Sequence, residues 1–305
     1  MSYIVSVSPH LHSKVDTKTL MRDVCIALVP ALVASVIIFG FRSLLVTAVS
    51  VAAAVLTEFL YQKGTKQPVT IRDWSAAVTG MLLAFNLPVS IPLWQAAFGS
   101  IVAILVVKQL FGGLGRNFAN PAIVGRIVLF LSFSKTMTAW TFPDAVSTAT
   151  PLSVMANGGE LPSLLNMFLG VKGGCLGEVS ILALLVGFVY LLVRKVITWH
   201  TPVAFIGTVF VLSWLLGGDA MYAVNQVLAG GLVLGAVFMA TDYATTPSTN
   251  SGRVIFGLGC GLLTVMIRQW GSYAEGVSFA NLFMNILTPY ISKWTRSKPF
   301  GGVKA

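Results

Sequence analysis

Ten apolar stretches, at residues 24–41, 44–61, 75–87, 93–111, 121–133, 179–197, 202–216, 222–240, 254–268 and 277–291, are the feature that most restricts how this chain can fold. Polar groups interrupt them too rarely for the half-wet elements of a soluble domain. Only 10% of the residues are charged and 56% are hydrophobic, against about 25% charged in soluble proteins. In lipid, backbone N–H and C=O groups must be satisfied within the segment, so each stretch is expected to be a helix. The expected fold is an all-α polytopic membrane protein with about ten transmembrane helices. Several stretches fall short of the roughly 20 residues that a full span requires. The third, 75–87, ends at Asn86-Leu87-Pro88, inside membrane depth. A break there is tolerated only where protein or a cavity covers the freed backbone groups.

Lys and Arg set the expected topology. With a cytoplasmic N-terminus, fifteen of the 20 fall on the inner side, and Arg42, Lys135, Lys172 and Arg268 on the outer side. Arg126 lies within a span. That bias places both termini in the cytoplasm and the connection 134–178 outside it. The net charge of +10 then reflects topology rather than a nucleic-acid surface, which needs a clustered basic face. The arm 1–23 has no apolar leader core, so no cleaved signal peptide is expected. The expected organisation is this arm, five helices over 24–133, the outer loop 134–178, five helices over 179–291 and a cytoplasmic tail over 292–305.

Three motifs recur in the same order. Gly80-Met81-Leu82-Leu83-Ala84-Phe85-Asn86 parallels 235–242. Lys108-Gln109 parallels Arg268-Gln269. Phe118-Ala119-Asn120 parallels Phe279-Ala280-Asn281. Five helices per half is an odd number, so the second half is inverted relative to the first. Such repeats place sites near the midplane, where broken helices meet; the paired breaks are 86–88 and 241–247.

Charges within spans are costly and usually functional. Glu58 is one turn from its helix end, where it could snorkel. Arg126, deeper, is expected to meet a buried polar group, an anionic ligand or a structural partner. Asp242, at the break of the eighth span, suits either an ion path or a capping role. His10 and His12 fit a solvated arm better than a metal site. Cys25, Cys175 and Cys260 are too few and too scattered to hold an iron–sulfur cluster alone. Gly112-Gly113-Leu114-Gly115 lacks the preceding strand of a phosphate loop.

The longest polar connection contains Asp144-Ala145-Val146-Ser147-Thr148-Ala149-Thr150-Pro151. By pattern alone Thr150 is a helix N-cap, with Pro151 at the first helical position. Together with Ser8-Pro9-His10 and the stretch from Gly112 through Asn117-Phe118-Ala119-Asn120-Pro121-Ala122, it resembles the D subunit of the Rnf ion-translocating electron-transport complex. That family is shared with the B subunit of the sodium-pumping NADH:quinone reductase. The resemblance covers nearly the whole chain. Asp144, Ser147, Ala149 and Thr150 match the family's flavinylation signal; Ala145 and Thr148 depart from it.

The resemblance implies FMN joined to Thr150 by a phosphodiester bond, with Asp144 and Ser147 in the recognition signal for a flavin transferase. It further implies a second, non-covalent flavin among the helices. Electrons would pass between membrane-embedded carriers and the neighbouring G subunit, in a translocase that also contains the A, B, C and E subunits. The complex would sit in the bacterial inner membrane, among lipid and without nucleic acid, coupling ferredoxin–NAD electron flow to Na⁺ or H⁺ movement. The competing readings are a subunit of the quinone-reductase type and a cofactor-free solute channel of the same architecture.

Overall fold

A computed structural model describes residues 16–140, 150–156, 159, 161–170, 172–178, 180–271 and 275–296. Asp144, Ser147, His10 and His12 lie outside them. Each regular element within them is helical. In order these are α1 (Thr17–Phe39), α2 (Phe41–Gly64), α3 (Ser75–Phe85), α4 (Leu93–Val102, continued as a π-helix over Ala103–Gln109) and α5 (Pro121–Ser132). The short α6 (Ser134–Met137), α7 (Pro151–Ala156) and α8 (Leu164–Leu169) follow. Then come α9 (Ile181–Val193), α10 (His200–Gly217), α11 (Ala220–Leu228), α12 (Leu232–Leu234, continued as a π-helix over Gly235–Met239), α13 (Asn250–Trp270) and α14 (Val277–Trp294).

Among the described residues, α1, α2, α10 and α13 are long and apolar enough to cross a membrane, and α11 with α12 make a fifth span if counted together. The expected uninterrupted eighth helix, 222–240, is instead bent by 67° at Ala229–Gly231. The first helix also starts earlier than expected. Asp16 accepts a hydrogen bond from the Thr17 N–H, and Asp23 is buried against Tyr190 and Arg194. Residues 17–23 are therefore helix rather than arm.

Local chemistry explains the boundaries. Gly40 at φ +78° reverses the chain between α1 and α2, a conformation that costs glycine little. Asn120 accepts from the Ala122 N–H at 3.0 Å and precedes Pro121, which starts α5. Asp219 and Thr249 cap α11 and α13 in the same way, satisfying donors that a helix N-terminus leaves free.

Outward faces are apolar: Ile37, Leu60, Val193 and Leu215 are 65–78% exposed. Inward faces carry small residues, so backbones approach closely. A side chain at Gly80 would collide with the Val51 backbone, and one at Gly257 with Thr201 and Ala204. Polar side chains gather inside, among them Glu58, Asn86, Lys108, Arg126 and Glu178.

Candidate functional site

The site is built by two helices that stop inside the protein. α3 ends at Phe85, and its last carbonyls are covered by the segment 172–178, which folds back beneath it. The Gly177 N–H donates to the Phe85 carbonyl at 2.9 Å, and the Leu176 N–H to Leu87 at 3.0 Å. The Cys175 thiol donates to the Asn86 carbonyl at 3.2 Å. This is the protein cover that the sequence requires for a break at that depth. Across from it, the Asn86 amide donates to Met239 Sδ and the Asn120 amide to the Met239 carbonyl, both at 3.5 Å. The C-terminal ends of α3 and α12 therefore meet.

The second break, at Ala229–Gly231, leaves a helix C-terminus and a helix N-terminus side by side. The carbonyls at the end of α11 take cations. Lys172 Nζ donates to Leu228 at 2.6 Å. Arg268 donates to Gln226 at 2.6 Å and to Ala229 at 3.3 Å. The Gly231 N–H, at the start of α12, donates to Glu275 Oε1 at 2.8 Å. Each sign suits the partial charge of the helix end that it meets.

Arg126 binds these parts together. Its guanidinium donates to Asn86 Oδ1 at 3.0 Å, to Ser278 Oγ at 2.8 Å and to Cys175 Sγ at 3.7 Å. It is also ion-paired with Glu275, and with Glu178 Oε1 at 3.5 Å. Arg126 thus has partners from three other parts of the fold, as a buried charge demands. Burial pushes the Glu178 carboxyl up to about 8, reinforced by the Glu275 charge. Burial also raises Glu275, but Arg126 and the Gly231 N–H outweigh it and leave that carboxyl below its ordinary value. Lys172 is lowered by burial to about 8.

Thr150 starts the short helix that leans on the second break. Its Oγ1 accepts from the Ser153 N–H at 3.3 Å, and its carbonyl from Val154 at 2.9 Å, so it caps α7. Two residues on, Leu152 packs against Met167 and Ala229. Leu152 therefore packs the Thr150 helix onto the Ala229–Gly231 break.

Asp242 lies elsewhere, in the turn after α12. Its carboxylate accepts from Thr245 Oγ1 at 3.2 Å and from the Ala244 N–H at 3.5 Å. It lines a cleft of about 80 Å³ together with Lys108, Asn117, Asn120, Thr79 and the apolar Val78, Leu82 and Phe238. Glu58 does not snorkel. It is fully buried and paired with Lys108 at 2.6 Å. Cys25, Cys175 and Cys260 are free and buried, and no group of three metal-ligating side chains occurs among the described residues.

Sequence reasoning singled out Arg126 and the break at Asn86, which the structure brings together, and Asp242, which lies apart from them. It missed Glu178, Glu275 and the roles of Lys172 and Arg268, which were counted only as outer-side charges. The available signal was Gly230-Gly231 within an otherwise apolar run.

Residues 4–301 match the model of the NQR2, RnfD, RnfE family. The D subunit of the Na⁺-translocating ferredoxin:NAD⁺ oxidoreductase complex of Acetobacterium woodii is 44% identical, over 100% of this chain and 97% of its own length. The D subunit of the proton-translocating ferredoxin:NAD⁺ oxidoreductase complex of Clostridium ljungdahlii is 42% identical, over 98% and 96%. The D subunit of the ion-translocating oxidoreductase complex of Escherichia coli is 34% identical, over 99% of both.

Proposed function

Because the chain belongs to the NQR2, RnfD, RnfE family, we propose that it is the D-type membrane subunit of an ion-translocating ferredoxin:NAD⁺ oxidoreductase. In this reading it carries FMN through a phosphodiester bond to Thr150. The observation that carries the proposal is the end-to-end similarity to D subunits of such complexes, in a chain whose Asp144–Thr150 stretch resembles a flavin-attachment signal, departing from it at Ala145 and Thr148. Local structure suits the role. Thr150 caps a helix through its hydroxyl and is half-buried. A phosphoryl group on that oxygen would face the positive end of α7.

The flavin supplies one-electron chemistry; the protein positions it and sets its surroundings. Thr150 would hold it, and Leu152 would fix the attachment helix on the α11–α12 break. The partners in this reading are the A, B, C, E and G subunits, the flavin transferase and inner-membrane lipid. Both termini are cytoplasmic and the Thr150 loop faces outward. The two halves are read as inverted five-helix repeats. Two contacts support that: Lys108 reaches Ser75 at the start of α3, and its counterpart Arg268 reaches the carbonyls just before α12. The second, non-covalent flavin is assigned to the cleft beside Asp242. Its apolar walls and few polar groups are of the kind that small-molecule sites use.

The test is a denaturing gel viewed under ultraviolet light after co-expression with the flavin transferase. A fluorescent band that Thr150→Ala abolishes is expected. A dark wild-type band, or an intact mass lacking the flavin phosphate, refutes covalent attachment. Flavin released on denaturation reports the second site; Leu82→Trp is expected to remove that fraction and leave the band.

A further inference from the structure

We propose that Glu178 and Glu275 hold one exchangeable proton between them, making this buried acid pair a protonation site within the membrane subunit. The inference rests on side chains of this chain and stands whether or not Thr150 carries flavin.

The two carboxyl groups converge on one point: a Cβ added at Gly231 would lie 2.5 Å from Oε1 of each. Their surroundings differ. Glu275 receives the Gly231 N–H and the Arg126 guanidinium, and its side chain is 17% exposed. Glu178 is 4% exposed, and its Oε1 accepts no hydrogen bond among the described residues. Arg126 is 3.5 Å away and already engaged with Glu275, Asn86 and Ser278. An ionised carboxylate left without a donor in the interior is strongly disfavoured. Two carboxylates sharing a site do not both ionise readily. A proton on Glu178 removes both penalties and turns it into a donor toward its neighbour.

Arg126, Lys172, Arg268 and Cys175 face the pair from the surrounding elements. The cations favour ionisation, yet Lys172 and Arg268 are committed to carbonyls at the end of α11, and burial outweighs them. A metal cation is a poorer occupant than a proton, because the Arg126 guanidinium already sets a positive charge against both carboxyl groups. On deprotonation the Glu178 O–H bond breaks and the proton leaves to water, placing a second negative charge beside the break that supports the Thr150 helix.

Infrared difference spectroscopy of the intact complex, in H₂O and D₂O, tests this. Expected is a protonated carboxyl band at mildly acidic pH that shifts in D₂O, disappears with a midpoint near about 8 and is missing from Glu178→Gln. Where Glu178→Gln does not assemble, Glu275→Gln decides. It removes the adjacent charge and frees Arg126 to face Glu178, so the midpoint is expected to fall. No titrating band in the wild type, a band retained in Glu178→Gln, or an unchanged midpoint in Glu275→Gln overturns the proposal. So does displacement of the proton by Na⁺ at constant pH and ionic strength.

Discussion

Glu58 and Lys108 provide the sharpest test of how the interior tolerates charge. Their side chains are 1% and 3% exposed and meet at 2.6 Å. Lys108 Nζ also donates to Ser75 Oγ at 2.6 Å. Glu58 Oε1 accepts from Gln62 at 3.3 Å and from Thr70 at 3.2 Å. At an effective dielectric constant of about 20, charges at that separation attract by about 6 kcal/mol, which largely offsets what desolvation costs. The intact pair therefore adds little net stability. Breaking it does not: Glu58→Gln leaves a buried ammonium and Lys108→Met a buried carboxylate, each costing about 3–5 kcal/mol. The double variant leaves neither charge, so its cost is expected to be smaller than that of either single change. The coupling energy should reach several kcal/mol, well above the few tenths seen for independent sites. Unfolding of the detergent-solubilised protein, followed by tryptophan fluorescence, measures all four forms. Single changes below about 1 kcal/mol, or a double variant equal to the sum of the singles, would refute a dry, mutually dependent pair.

Gly231→Ala would press a methyl group against both carboxylates and is expected to destabilise by more than about 1 kcal/mol. Gly207→Ala, within α10 and with open space at its Cβ, should instead stabilise by about 0.5–1 kcal/mol in the same melt. The raised Glu178 pKa makes its contribution to folding fully present below its ordinary 4.5 and lost as pH rises to about 8. Wild type minus Glu178→Gln should therefore fall across that window by no more than about 1.4 kcal/mol per pH unit; a flat or rising difference contradicts the protonated state. Cys25, Cys175 and Cys260 should resist alkylation until the chain unfolds, since all are buried, and mass spectrometry of native Cys175 reacting as fast as unfolded chain would disprove that. Asp242→Asn is expected to reduce ion transport into vesicles more than electron flow; equal loss of both would reduce Asp242 to a cap on the 242–245 turn.

Apolar patterning made the helices legible because lipid leaves a backbone few alternatives. It gave the short α3 and its stop at Asn86, where a proline follows two residues later. The bend in the eighth helix was harder to see. The residues on either side of Gly230-Gly231 are as apolar as any straight span, and what bends the helix lies elsewhere in the chain. Lys172 and Arg268 satisfy one side of the break and Glu275 the other, across 39–56 residues of sequence. Arg126 was visible as a charge within a span. Its partners were not, because Glu275 is 149 residues away and both acids sit at run ends that look like ordinary loop.

Once the breaks are known, most buried charges have a structural cause. Lys172 and Arg268 take the carbonyl end of α11, Glu275 takes the N–H end of α12, and Arg126 ties that acid to Asn86 at the end of α3. Lys172, Arg268 and Glu275 are each held by a backbone group that lost its partner when a helix stopped. Glu178 is the exception. Its Oε1 accepts no hydrogen bond among the described residues, and its contact with Arg126 is longer than that of Glu275. Among the described residues no backbone N–H meets its Oε1, and holding a proton accommodates that carboxyl. Residues required only to close helix ends should tolerate no change of charge, whereas Glu178→Gln, which keeps shape and imitates the protonated form, should leave the fold intact.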